Sequence, residues 1–201
     1  VSGTGTGTLG NVTNNNDGTY TVTYTAGTTA GNVSILPRIN GNAFASPLNL
    51  SIIPGAVSTS TSVVTASPSS LVAGTGGTSI LTVQLKDANG NNLTASAGTI
   101  TFASLASGAG SLGTVTDNLD GTYTVIYTVG TNQGTVAITA ELNGTSFTNA
   151  LNFIQAPPNQ APTDISLTAT SIAENQPTGS TVGQFSTTDP DSGNTFTYTL
   201  V

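Results

Sequence analysis

The stretch 117-DNLDGTYTVIYT-128 places two carboxylates, a glycine and two tyrosines close together. Two carboxylates can hydrolyse a glycosidic bond when they face each other across a cleft, about 5–10 Å apart, with their pKa values set apart. Carboxylates in a glycine-containing loop can instead hold calcium. A near copy in the same chain, 14-NNNDGTYTVTYT-25, tests both ideas. With Gly121 at the sixth position of a helix–loop–helix calcium loop, Thr116 falls at the first position and Tyr127 at the twelfth. Neither supplies a carboxylate, and Thr13 and Tyr24 fail identically in the copy. The copy also carries Asn14 where Asp117 stands, so it has no carboxylate pair. The expectation is a turn: Asp and Asn bond nearby backbone, and Gly accepts positive φ.

Composition narrows the remaining chemistry. The chain has no Cys, His, Met or Trp. Thiolate and imidazole metal sites, disulfides and Ser–His or Cys–His catalytic pairs are therefore excluded, and an enzyme is not expected. Hard cations bound by oxygen remain open, calcium first among them. Charged residues make up 5% of the chain, and the net charge is −7 with two basic residues, Arg38 and Lys86. No basic patch can form, which argues against nucleic acid and anionic membrane surfaces. Lys86 leads into 87-DANGNN-92 and reads as a surface lysine, not as half of a Lys–Asn crosslink, because residues 1–55 contain no Lys of their own. Asn-x-Ser/Thr triplets such as those at Asn11, Asn92 and Asn143 are what an Asn- and Thr-rich chain produces by chance.

No window holds the roughly 18 apolar residues a membrane span needs. No leader or initiating Met is evident, so the sequence reads as a piece of something longer. A surface rich in Thr, Ser, Gly and Asn, with two sites for trypsin-like proteases, fits an extracellular location.

Apolar residues recur at period two in blocks separated by Gly, Asn and Asp, which is the pattern of strands and not of a disordered chain. Shifted by 103 residues, the chain aligns with itself without a gap. Leu9 to Gly55 falls on Leu112 to Pro158, with 24 of 47 positions identical. That period is too long for a solenoid repeat and matches one β-sandwich module with its joint. The expected organisation is a C-terminal half module over 1–55, a complete module over 56–156 and a different module starting at 157–201. The joints 54-PGAVSTSTS-62 and 156-APPNQAP-162 are rich in Pro or Ser and Thr. Strands are expected near 61–66, 79–86, 98–103, 112–116, 122–129, 134–142 and 146–154. In the fifth, Tyr123, Val125 and Tyr127 alternate with Thr122, Thr124 and Thr128, giving one face to the core and one to water.

The runs 79-SILTVQLKDANGNNLTASAGTITF-102, 120-DGTYTVIYT-128 and 134-GTVAITAELNGTSF-147 resemble the bacterial immunoglobulin-like domains of the invasin and intimin group; filamin-type repeats, which share the D-G-T-Y feature, are the second choice. The resemblance implies an all-β fold of tandem immunoglobulin-like antiparallel sandwiches that act mostly as spacers in surface adhesins. The last stretch, with A-P-T-D-I at 161–165, A-E-N at 173–175 and T-D-P-D-S-G-N at 188–194, resembles the first part of a bacterial cadherin-like domain. That likeness implies calcium held at a joint by Glu174, Asp189 and Asp191, with Asn194 as a further oxygen donor.

The function expected is that of a structural, adhesive stalk segment of a large extracellular bacterial repeat protein, displaying other domains at the cell surface. Its partners would be other modules of the same or neighbouring chains, including strand addition at the incomplete end modules. Two alternatives are a subunit of a surface layer, filament or virion, and a non-catalytic appendage of a secreted glycan-active enzyme. The absence of Trp and the scarcity of aromatics count against the second.

Overall fold

The computed structural model describes residues 1–103 and 105–199. Among them every regular element is a strand. The chain divides into two compact units, Val1–Ala156 and Pro157–Val201.

Within the first unit, residues 56–156 form a sandwich of mostly antiparallel sheets. One sheet has the strand order Val63–Ser67, Thr78–Gln84, Thr122–Val129, Gly110–Leu112, with Thr116–Asp117 also paired to Thr122–Val129. The opposing layer holds Gly134–Ile138 antiparallel to Leu151–Ala156, and Ile100–Phe102 antiparallel to Ala140–Leu142. The alternation read from the fifth strand is the one observed. Tyr123, Val125 and Tyr127 are buried, while Ile126 and the threonines face outward or sit half-buried. Between the layers lies a core of Leu81, Val83, Leu85, Ile100, Tyr127, Ile138, Ala140 and Phe153, among others. The Tyr127 and Phe153 rings meet edge to face at 4.8 Å and tie one sheet to the other.

Several strands depart from expectation, among them 134–142, which divides into Gly134–Ile138 and Ala140–Leu142. Pro68 cannot donate to a ladder. After Val63–Ser67 the chain therefore crosses to the other sheet, where Ser70–Val72 runs parallel to Leu151–Ala156. The seventh strand, expected over 146–154, is Leu151–Ala156. Ser146 belongs instead to a hairpin with Ala140–Leu142, because Asn143 and Gly144 take φ of 49° and 79°, the two positive values a two-residue I′ turn requires. The expected strand over 112–116 separates into Gly110–Leu112 and Thr116–Asp117.

Residues 1–55 repeat the second half of this plan. Gly31–Ile35 pairs with Leu48–Ile52, Gly7–Leu9 with Tyr24–Ala26, and Arg38–Ile39 with Asn42–Ala43 around the Asn40–Gly41 turn. The second unit, described by itself, is built on one antiparallel pair, Asp164–Leu167 with Phe185–Thr188. Phe185 stacks on Tyr198 at 5.1 Å.

Candidate functional site

The D-G-T-Y carboxylates are absorbed by their own turns. Asp120 Oδ1 accepts the Thr122 backbone N–H at 2.9 Å and the Thr122 hydroxyl. Asp17 Oδ1 accepts the same two donors from Thr19, at 2.9 and 2.6 Å. Asp117 Oδ1 accepts Leu119 N–H at 2.9 Å. The hydroxyl bond, reinforced by the backbone bond, lowers the pKa of Asp17 and of Asp120, so both carboxyls are held ionised. A general acid needs the opposite shift.

A different carboxylate organises the joint between 1–55 and 56–156. Asp87 is 2% exposed. Its Oδ1 accepts N–H groups of Asn89 and Asn91, each at 2.9 Å. Its Oδ2 accepts Gly55 N–H and the Asn91 side-chain amide, each at 2.8 Å. The Asn91 amide and these backbone donors hold the carboxyl down at about 2. The second hydrogen of the Asn91 amide goes to Thr28 C=O at 2.8 Å, and its oxygen accepts Ala30 N–H at 3.0 Å. Every hydrogen-bonding direction of this carboxamide but one acceptor lone pair is thus spent between Asp87 and the 28–30 turn.

The joint sequence folds back on the module. Val57 bridges Asp87, and Ser58 N–H reaches Lys86 C=O at 2.8 Å. Ser62, fully buried, accepts Lys86 N–H at 2.9 Å and donates to Ser58 C=O at 2.7 Å. A cleft of about 510 Å³ flanks the joint, between Ile52–Pro54 and Gly90–Asn92. No acidic or basic side chain lines it. Sequence reasoning took D-A-N-G-N as a turn and missed Asp87 and Asn91 as joint residues. Only the pairing of Asp with Asn four positions on, beside a Gly of positive φ, signalled a self-bonded loop.

The acidic turn of the second unit follows the Phe185–Thr188 strand. Asp189 Oδ1 accepts Asp191 N–H at 2.8 Å, and Asp191 Oδ2 accepts Gln160 N–H. Asp189 Oδ2 is buried and has no hydrogen-bond partner. Glu174 and Asn194 are exposed. Among the described residues no group of three or more His, Cys, Asp or Glu side chains is placed to hold a metal ion. Among the described residues no helix is long and apolar enough to cross a membrane.

Two layers packed through Tyr127 and Phe153, joined head to tail with a second copy of the same motif, define a segment of tandem immunoglobulin-like β-sandwiches. The family model described as invasin, domain 3, matches residues 1–55 and again 58–156. The chain belongs to that family. Among solved structures it is similar to the Escherichia coli adhesin FdeC (26% identity, TM-score 0.55, covering 81% of this chain and 52% of that one). It is also similar to InvD of Yersinia pseudotuberculosis (28% identity, TM-score 0.51, covering 92% and 56%). The chain thus spans about half the length of either. No curated protein sequence matches it.

Proposed function

We propose that this chain is a stalk segment of a bacterial surface adhesin, extracellular and non-catalytic, whose work is to space and display other domains. The observation that carries this reading is the head-to-tail pair of family matches, joined by a folded, hydrogen-bonded joint instead of a free linker. The likeness to FdeC, named as an adhesin, supports it. The test is to delete one 103-residue period, 54–156, from the parent protein on the cell surface. The displayed tip moves inward by one module while the purified parent keeps its binding. Loss of binding by the purified protein would overturn the spacer reading.

The partners on this reading are other modules. The organisation proposed is a half module at 1–55, a complete one at 56–156 and a cadherin-like one beginning at 157. The half at 1–55 is completed by strands of the kind found at 63–102. In the C-terminal module, Asp189 and Asp191 would hold calcium. The buried, unpartnered Oδ2 of Asp189 fits a hard cation. Glu174 and Asn194 are the further donors that the resemblance names. Bound calcium would neutralise the two carboxylates and stiffen the turn that Asp191 ties to Gln160.

A further inference from the structure

Two properties of the 87–91 loop point beyond a local turn. First, its charge is directed inward: Asp87 is buried and accepts from Gly55 N–H in the preceding segment. Second, everything the loop grips in that segment is main chain, namely Thr28 C=O, Ala30 N–H and Gly55 N–H. Asn91 reaches across a sequence separation of 63 and 61 residues for the first two. A contact made to peptide groups depends on the shape of the turn and not on its side chains, and peptide groups are present in every copy.

We propose that residues 87–91 are the docking element by which a module of this repeat seats on its N-terminal neighbour, and that the neighbour it fits is any module presenting the turn after the D-G-T-Y strand. This rests on the stalk reading above but goes further, naming the recognised groups. Asp87 sets the rotamer of Asn91. Asn91 reads one carbonyl and one N–H two residues apart, and Gly55 closes the contact.

The chain carries a second copy of the recognised turn. Residues 26-AGTTAG-31 correspond to 129-VGTNQG-134, with both glycines and Thr28/Thr131 kept. Thr131 and Gln133, which match Thr28 and Ala30, are exposed. Gly55 falls on Pro158, which has no N–H. The turn at 129–134 therefore offers two of the three groups. The complete three-point grip belongs to the joint between like modules, and its third point is lost where the sequence changes type.

The chain has no Cys, which makes site-specific spin labelling direct. Labels at exposed positions in the two halves, Thr25→Cys and Ser111→Cys, report the distance distribution across the joint in the full chain. A narrow distribution is expected, broadened by Asn91→Ala and by Asp87→Asn. Asn89→Ala, which keeps its backbone N–H, should leave it narrow. An equally narrow distribution in both latch variants would overturn the proposal. So would broadening accompanied by loss of the near-ultraviolet circular dichroism of the tyrosine core, since the loop would then support its own module instead of the joint.

Discussion

Tyr20 and Tyr123 occupy the same place in two copies of one motif, yet Tyr20 is 60% exposed and Tyr123 is 2% exposed. The Tyr123 hydroxyl donates to Gly98 C=O at 2.7 Å and accepts Ala97 N–H at 3.3 Å. The same split separates Phe44 from Phe147 (53% and 4%) and Val22 from Val125 (45% and 3%). Tyr24 Oη is buried without a partner, while Tyr127 Oη donates to Ala109 C=O. Among the described residues, Tyr20, Val22 and Phe44 lie exposed where their counterparts Tyr123, Val125 and Phe147 are buried.

Because residue 1 corresponds to residue 104, a duplicate of 56–103 fused directly ahead of Val1 restores the spacing of a whole module. The fusion should bury Tyr20 and Phe44, protect the amides of residues 20–25, whose counterparts pair with Thr78–Gln84, from hydrogen exchange and raise the melting temperature of the first half. Solvent-exposed Tyr20 fluorescence in the fusion would count against completion by such a segment. So would burial of Tyr20 in dimers of the unfused chain, which would give the face to a second copy.

What the sequence made legible was decided within a few residues. The D-G-T-Y turn closes on bonds spanning two positions, Asp120 to Thr122 and Asp17 to Thr19, so spacing alone exposed it. The inward face of the fifth strand followed from strict alternation. The joint was hidden for the opposite reason: Asn91 meets Thr28 and Ala30 through peptide groups that carry no residue signature. The acidic turn was legible as a turn, but the place of Glu174 depends on packing across the second unit, which no local pattern records.

Leu119 sits at φ 63° in a turn where the first copy has Asn16 at φ 58°. A branched apolar residue is strained in the left-handed region, whereas Asn tolerates it. Leu119 is also 75% exposed, so it contributes little packing there. Leu119→Asn should stabilise the complete module by about 1 kcal/mol. Urea unfolding checks this, with an unchanged slope and a higher midpoint as the expected result.

The joint should weaken in acid. Asp87 titrates at about 2 in the folded chain, below its ordinary 3.8, so the folded state binds its proton less readily than the unfolded state. The stability it contributes is present in full above about pH 4 and is lost as pH falls through about 2. Asp17 and Asp120 are shifted the same way, so the informative quantity is a difference. Melting temperature between pH 5 and pH 2 should fall more steeply in the unsubstituted chain than in Asp87→Asn. Parallel curves would mean that Asp87 does not titrate as its hydrogen bonds require.

Calcium binding at the acidic turn makes a sharper demand. Asp189 presents a buried carboxylate oxygen with no donor facing it, an arrangement that a cation would stabilise. Binding to the folded state alone raises stability by RT ln(1 + [L]/Kd), or about 2.7 kcal/mol at a hundredfold excess over Kd. Calcium should therefore raise the melting temperature of the second unit in the full chain, leave the first unit unmoved, and shift the carboxyl carbon resonances of Asp189 and Asp191. Asp189→Asn should abolish both effects, since the amide keeps the size of the side chain but removes its charge. Glu174→Gln separates two arrangements. Reduced affinity places Glu174 in the coordination sphere, and unchanged affinity leaves the ion to the 188–194 turn and its contact with Gln160. Calcium-independent melting with unmoved Asp189 and Asp191 resonances would remove the ion from this turn altogether.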